Sequence, residues 1–442
     1  MDTGDTAWML VSTALVLFMT PGLALFYGGM VRSKNVLGML MQNFAAMGLV
    51  AVLWALIGFS LAFGDAGNGG VLGNLEFLGL SGVGAEPGLD LTIPFVLFAA
   101  YQMTFAVITP ALITGASADR MRFGPYLVFI GAWLVLVYAP VAHWVFGGGW
   151  LAELGALDFA GGAVVHMNAG AAALGLVLVL GKRRGWRAQA MPPHSLPLTM
   201  LGTAILWFGW FGFNAGSALA ADGVAATALM NTFLAASAGM LAWMLVERLK
   251  DGHATTLGAA SGVVAGLVAI TPCAGFVSGL SPVLIGAAAG AVCLLAIGLK
   301  FRFGYDDSLD VVGIHLVGGL LGSLLLGVFA DVSVNDAGAD GLLFGGGAEL
   351  LVAQVVASAA VVAFSLVVSL ALAKLIDAVM GIRVSPEDEL EGLDRSQHAE
   401  TAYFLDDLAP TLGAHVPHSQ GDRTAVSSEP GAGAPVAGGP AG

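Results

Sequence analysis

Long apolar runs and short polar breaks alternate along nearly the whole chain. A helix needs roughly 20 apolar residues to cross the ~30 Å hydrocarbon layer of a bilayer. Eleven runs reach or approach that length, at about 7–30, 36–63, 92–116, 124–146, 160–181, 196–219, 224–246, 256–272, 281–299, 311–330 and 348–373. The eighth is the weakest, because it is Gly-rich and ends at Thr271-Pro272. The pattern predicts an all-α membrane protein of eleven transmembrane helices. Gly and Ala fill the runs and let helices approach closely, so a tight bundle is expected.

Composition agrees. Of 442 residues, 57% are hydrophobic and only 10% charged, against about a quarter in soluble proteins. The net charge of −14 does not by itself call for a basic partner, because the acids sit mostly in loops and the C-terminal tail. Cys273 and Cys293 lie in or near apolar runs, so no disulfide framework is expected. The N-terminus is acidic, with Asp2 and Asp5, which favours a retained first span over a cleaved signal.

Charge sidedness then orients the chain. Arg32 and Lys34 follow span 1, and Arg120 and Arg122 follow span 3. Lys182, Arg183, Arg184 and Arg187 follow span 5, Arg248 and Lys250 span 7, and Lys300 and Arg302 span 9. Lys374, Arg383, Arg395 and Arg423 follow span 11, so all sixteen Lys and Arg fall on one side. Positive loops stay cytoplasmic, which places the N-terminus outside and the C-terminus in the cytoplasm. Spans 1–5 and 6–10 then enter from opposite sides, as a five-plus-five inverted-topology repeat, with span 11 a final long helix. In such repeats the substrate site lies near the midplane, between the halves.

Two histidines occupy equivalent spans of the two halves. His166 lies in the uncharged stretch between Asp158 and Lys182, and His315 in the one between Asp310 and Asp331. An ionisable side chain inside a span is costly, and by default marks a functional site. A lone one is as often a helix–helix hydrogen bond. Here each is followed four residues later by a glycine, Gly170 and Gly319. His166 is eight residues from Asp158, ~12 Å at the helical rise, whereas His315 is five from Asp310. Depth alone therefore does not place the two in contact; symmetry does. For Asp310, beside Asp306 and Asp307, the competing reading is a solvated inner rim.

Several strings point further. They are Tyr101-Gln102-Met103-Thr104-Phe105-Ala106, Gly115-Ala116 through Asp119-Arg120, Ala156-Leu157-Asp158-Phe159-Ala160-Gly161-Gly162 leading to His166, Trp210-Phe211-Gly212-Phe213-Asn214-Ala215-Gly216-Ser217, Asp310 through His315, and Glu391-Gly392-Leu393-Asp394. In this order, from about residue 8 to residue 403, the chain closely resembles the ammonium transporter family, related to the Rhesus proteins. The resemblance implies a homotrimer with one narrow pore per protomer. It implies that Phe105 and Phe213 are a stacked gate, and that Phe105, Ser217 and Asp158 belong to the outer ammonium-recruitment site. His166, His315 and Thr271 would line the pore. The family usually has tryptophan where this chain has Phe146, just before Gly147-Gly148-Gly149. Phenylalanine is the weaker cation–π partner, so poorer recruitment is expected unless Trp144 or Trp150 compensates.

The expected activity is transport of ammonium across the cell membrane: capture outside, deprotonation, and passage of ammonia past the histidines, with or without the proton. Residues 1–380 form the transporter domain, 381–408 a cytoplasmic regulatory tail, and 409–442 a low-complexity tail expected to be disordered. In the regulatory tail Arg383, Glu391, Gly392, Asp394, His398 and Tyr403 match the family's segment, which couples protomers and docks PII-type nitrogen regulators. Ala399 stands where a glycine is common after the histidine, which puts the local turn in question. An ammonium sensor with the same fold and little flux is the alternative, though this tail is too short to add a signalling domain. A membrane metalloenzyme is disfavoured, since two histidines without a third ligand make a poor zinc site. No cofactor motif is read.

Overall fold

Ten helices are long and apolar enough to span a bilayer. In a computed structural model that describes residues 1–67 and 70–403, they are α1 (Thr3–Met30), α2 (Ser33–Phe63), α3 (Phe95–Ser117), α4 (Phe123–Glu153), α5 (Gly162–Leu180), α6 (Leu196–Ala218), α7 (Gly223–Asp251), α9 (Ser281–Phe303), α10 (Val312–Phe329) and α11 (Glu349–Met380). α8 (Thr256–Ile270), where the weakest span is expected, is apolar but only 15 residues long. Among the described residues no strand forms. Residues Met1–Ala402 make one compact unit, and Tyr403 opens a second. Residues 404–408 of the expected regulatory tail, and all of 409–442, lie outside the described residues.

Two helix pairs, α1 with α6 and α5 with α10, pack closely through glycines. Gly22 of α1 abuts Ile205 of α6, while Gly202 of α6 abuts Phe26 of α1. Deeper in, Gly170 of α5 lies against Leu316, the residue after His315, and Gly319 of α10 lies against Met167, the residue after His166. A Cβ at Gly170 would meet the Leu316 Cβ at 2.6 Å, and one at Gly319 would meet the Gly162 carbonyl at 2.8 Å. Those glycines, four residues past each histidine, are what let α5 and α10 close on one another.

Both histidine helices begin with a π-turn, Gly162–Met167 in α5 and Val312–Leu316 in α10. Such turns add a residue to the helical cycle and are frequent at functional sites. Both are also capped by a carboxylate. Asp158 accepts from Gly161, Gly162, Ala163 and Val164 N–H at 2.9, 2.6, 2.8 and 3.2 Å. Asp307 accepts from Val311 and Val312 N–H at 3.1 and 2.7 Å. Each acid stands eight positions before its histidine. The counterpart of Asp158 is therefore Asp307 and not Asp310, which removes the depth mismatch. The solvated-rim reading fails for two of the three acids, since Asp306 and Asp307 are each 1% exposed. Burial pushes the Asp306 carboxyl up, but the Arg183 guanidinium at 2.9 Å and the Arg120 charge together hold it below the usual carboxylate range.

Beyond α11 the chain folds back under the bundle through two short helices, α12 (Pro386–Glu391) and α13 (Leu393–His398). Arg383 donates to the Leu180 and Lys182 carbonyls at 2.8 and 2.7 Å and to Glu389 Oε2 at 2.7 Å. Asp394 Oδ1 accepts from Gly38 N–H at 2.8 Å. Since Asn35, at the start of α2, gives no side-chain cap of its own, the tail supplies it. Lys34 returns the favour by donating to the Glu389 carbonyl at 3.1 Å.

Candidate functional site

Tyr101 fixes one end of the site, the end away from the Lys- and Arg-bearing loops. Its hydroxyl lies 2.9 Å from both the Gly212 and Phe213 carbonyls and 3.2 Å from Ser217 Oγ, which joins α3 to the end of α6. Ser217 Oγ also donates back to the Phe213 carbonyl at 2.8 Å. These bonds bring two rings together: Phe105 and Phe213 pack tilted, with centroids 4.3 Å apart at 38°, and both are buried. Above them a cavity of about 350 Å³ is bordered by Tyr101, Phe105, Phe146, Asp158 and Ser217. Four of the sequence-selected residues thus meet at one place.

Neither tryptophan near Phe146 borders that cavity. Trp144 donates its indole N–H to the Val71 carbonyl at 2.7 Å and packs on Phe364 and Trp150. The expected compensation has no geometric support.

Below the phenyl pair a nearly closed space of about 10 Å³ is walled by Leu23, Ile108, Val165, Phe213, His166 and His315, among others. A single water-sized molecule needs about that much room. The two histidines meet here, Nδ1 to Nδ1 at 3.3 Å, with centroids 5.3 Å apart. One Nδ1 must carry the hydrogen and the other must be bare, so the two tautomers are linked. The ring with a protonated Nδ1 presents a bare Nε2, and its partner presents an N–H. His166 Nε2 is buried and, among the described residues, has no hydrogen-bond partner.

Trp210 was not singled out as a site residue. Its indole stacks on His166 at 5.4 Å and lies 5.3 Å from Phe213, so one ring positions both. Thr271, expected to line the pore, does not border this space. Its hydroxyl accepts the Trp210 indole N–H at 3.0 Å and donates to the Leu267 carbonyl at 2.8 Å. The only sequence hint was that Trp210 opens the Trp-Phe-Gly-Phe-Asn string.

The tail residues stand elsewhere, on the basic side. Arg383 and Asp394 make the bonds given above. Gly392 has φ 112°, and a Cβ there would meet the Lys34 carbonyl at 2.6 Å. Glu391 reaches Arg395 at 3.9 Å, both exposed, a pair of little energetic weight. The His398 ring meets Phe123 edge-on at 5.0 Å. Ala399 has φ 56°, a left-handed conformation that costs a non-glycine residue roughly 1–2 kcal/mol, which explains why glycine suits this position. Tyr403 belongs to the second unit.

Comparison with known proteins identifies the family. The profile of the Ammonium Transporter Family matches residues 7–403. An ammonium transporter of Mycobacterium tuberculosis is 52% identical over 94% of this chain and 93% of its own length. One of Bacillus subtilis is 52% identical over 91% of this chain and 99% of its own. The crystal structure of Candida albicans Mep2 superposes with a TM-score of 0.83 at 39% identity, covering 92% of each chain. The chain belongs to the ammonium transporter family.

Proposed function

We propose that the protein moves ammonium by capturing the cation in the outer cavity, stripping its proton and passing ammonia between the histidines. The observation that carries this is the bonded histidine pair in an otherwise apolar space directly below the paired phenyl rings. Potassium and ammonium share charge and size, so a cation-sized hole does not separate them. Taking a bare ion into an apolar medium costs tens of kcal/mol by Born reasoning, whereas a neutral polar molecule costs only a few. Ammonium alone can become neutral. Ammonia has three donors and one acceptor, which suit the bare Nε2 of one imidazole and the N–H of the other. Transfer of the shared Nδ1 hydrogen swaps the two tautomers and offers the released proton a route along the pair.

In this reading Phe105, Phe146, Ser217 and Asp158 serve recruitment, Phe105 and Phe213 the gate, and His166 and His315 the pore, with Thr271 acting through Trp210. The charge sidedness and the mirrored α5 and α10 support eleven spans in a five-plus-five inverted repeat. In it α8 crosses as the short eighth span, the N-terminus is outside and the C-terminus cytoplasmic. By family likeness the assembly is a homotrimer in the cell membrane.

Currents and uptake in proteoliposomes test the reading. Ammonium and methylammonium pulses should give saturable flux and potassium none; potassium flux equal to ammonium flux would refute it. In the same assay Phe146→Trp is expected to lower the half-saturating concentration severalfold, by about 0.5–1 kcal/mol of added cation–π attraction. An unchanged value would remove Phe146 from recruitment.

The tail, residues 381–408, is proposed as the regulatory segment to which a PII-type protein binds. Its bonds to the loops after spans 1, 3 and 5 support that role. Asp394→Ala should uncap α2 and loosen α13, reducing regulator binding and flux together. Normal regulator affinity and normal flux in that variant would leave the tail as mere covering.

A further inference from the structure

Three stretches of chain border both the histidine space and a separate, larger cavity. On α1, Phe26 borders the histidine space and Met30 the next cavity; on α8 the pair is Val264 and Ser261; at the start of α10 it is His315 and Asp310. That inner cavity measures about 390 Å³ and lies on the basic side of the bundle. Lys300, from the end of α9, reaches into it. Its Nζ lies 2.5 Å from Asp310 Oδ1 and donates to the Asp307 carbonyl at 3.1 Å. Both side chains of the pair are largely enclosed, at 12% and 21% exposure. Asp310 has φ 65°, strain for a residue other than glycine, and its carboxylate meets the lysine from that strained position. Lys300 also borders a second cavity, of about 250 Å³, with Arg32, Arg183 and Arg187.

A lysine side chain ends in an alkylammonium, with the charge and the N–H donors of the transported ion. A carboxylate and a backbone carbonyl are the ligands that an ammonium ion would choose. We infer that Lys300 is a tethered occupant of a cation site on Asp310 and the Asp307 carbonyl at the inner mouth, and that it keeps cytoplasmic ammonium from binding there and back-inhibiting influx. This rests on the transport reading above. A cation arriving from the basic side must displace Lys300, against the neighbouring arginines, before it can hold Asp310.

The test is ammonium influx into right-side-out proteoliposomes preloaded with increasing internal ammonium, compared with half-saturation measured from outside. In Lys300→Met, which keeps an apolar stem, internal ammonium should inhibit at a concentration about tenfold lower relative to external half-saturation, equivalent to about 1.4 kcal/mol. Lys300→Arg keeps the charge and should hold the wild-type ratio. Asp310→Asn removes the carboxylate and should weaken internal inhibition in the Lys300→Met background. A monodisperse Lys300→Met with the wild-type ratio overturns the inference, as does a Lys300→Arg that inhibits like Met. Should Lys300→Met not assemble, Lys300→Gln is read by the same criterion. A wild-type protein without any ammonium current would instead sink the transport reading itself, which separates the two failures.

Discussion

In His166→Ala, ammonium current should fall by one to two orders of magnitude and potassium current should become measurable. The substitution removes one member of the 3.3 Å Nδ1–Nδ1 bond and leaves His315 without its partner in a buried site. While the pair carries the released proton its hydrogen bond involves a charged group and is worth about 1.5–3 kcal/mol, or about 10- to 150-fold in rate. It also removes the ring on which Trp210 stacks, and with it a support of Phe213. The space of about 10 Å³ then gains the volume of an imidazole. Room for several waters is room for a partly hydrated cation, which erodes the barrier against potassium. Because the two histidines act as one hydrogen-bonded unit, His315→Ala should cost a similar amount and the double variant little more than either. Current ratios for ammonium and potassium across the three variants decide the matter. An alanine at His166 that retained both rate and selectivity would take the pair out of the mechanism.

Much of this arrangement was legible in the sequence, and what was not has physical causes. Span positions and sidedness follow from apolar run length and from the placement of Lys and Arg, both of which are local. The histidine pairing followed from symmetry alone, and Gly170 and Gly319 were visible as its partners in spacing, although only the three-dimensional crossing explains them. Asp307 was obscured by its neighbours. Three acids within five residues compete for the role of helix cap, and charge counting favours the one nearest the apolar run, Asp310. The π-turn at Val312–Leu316 decides otherwise, because it places the first free N–H groups over Asp307. The link between Trp210 and Thr271 is hidden for a related reason. A threonine hydroxyl one turn from a carbonyl bonds to its own helix, as Thr271 does to Leu267, and nothing in the linear sequence says which distant indole will also reach it.

Removing the two helix caps should have unequal consequences, and the inequality separates structure from capture. Asp158→Ala orphans four N–H groups and Asp307→Ala two. An unsatisfied buried donor costs about 1–3 kcal/mol, but Asp158 borders the outer cavity, where water can replace part of what is lost. Asp307 is 1% exposed and has no such relief. Both variants are therefore expected to lose about 2–4 kcal/mol, read as lowered thermal midpoints of the detergent-solubilised protein. Both should also lose rate, because each cap sets the register of the π-turn that carries a histidine. Only Asp158 stands beside the outer cavity as a negative charge, so only its neutral variants should raise the half-saturating ammonium concentration. Asp158→Asn isolates that effect, since it keeps one acceptor oxygen and removes the charge. Equal half-saturation in Asp158→Asn and wild type would confine Asp158 to capping, and an unaltered thermal midpoint in Asp307→Ala would break the symmetry argument that pairs the two acids.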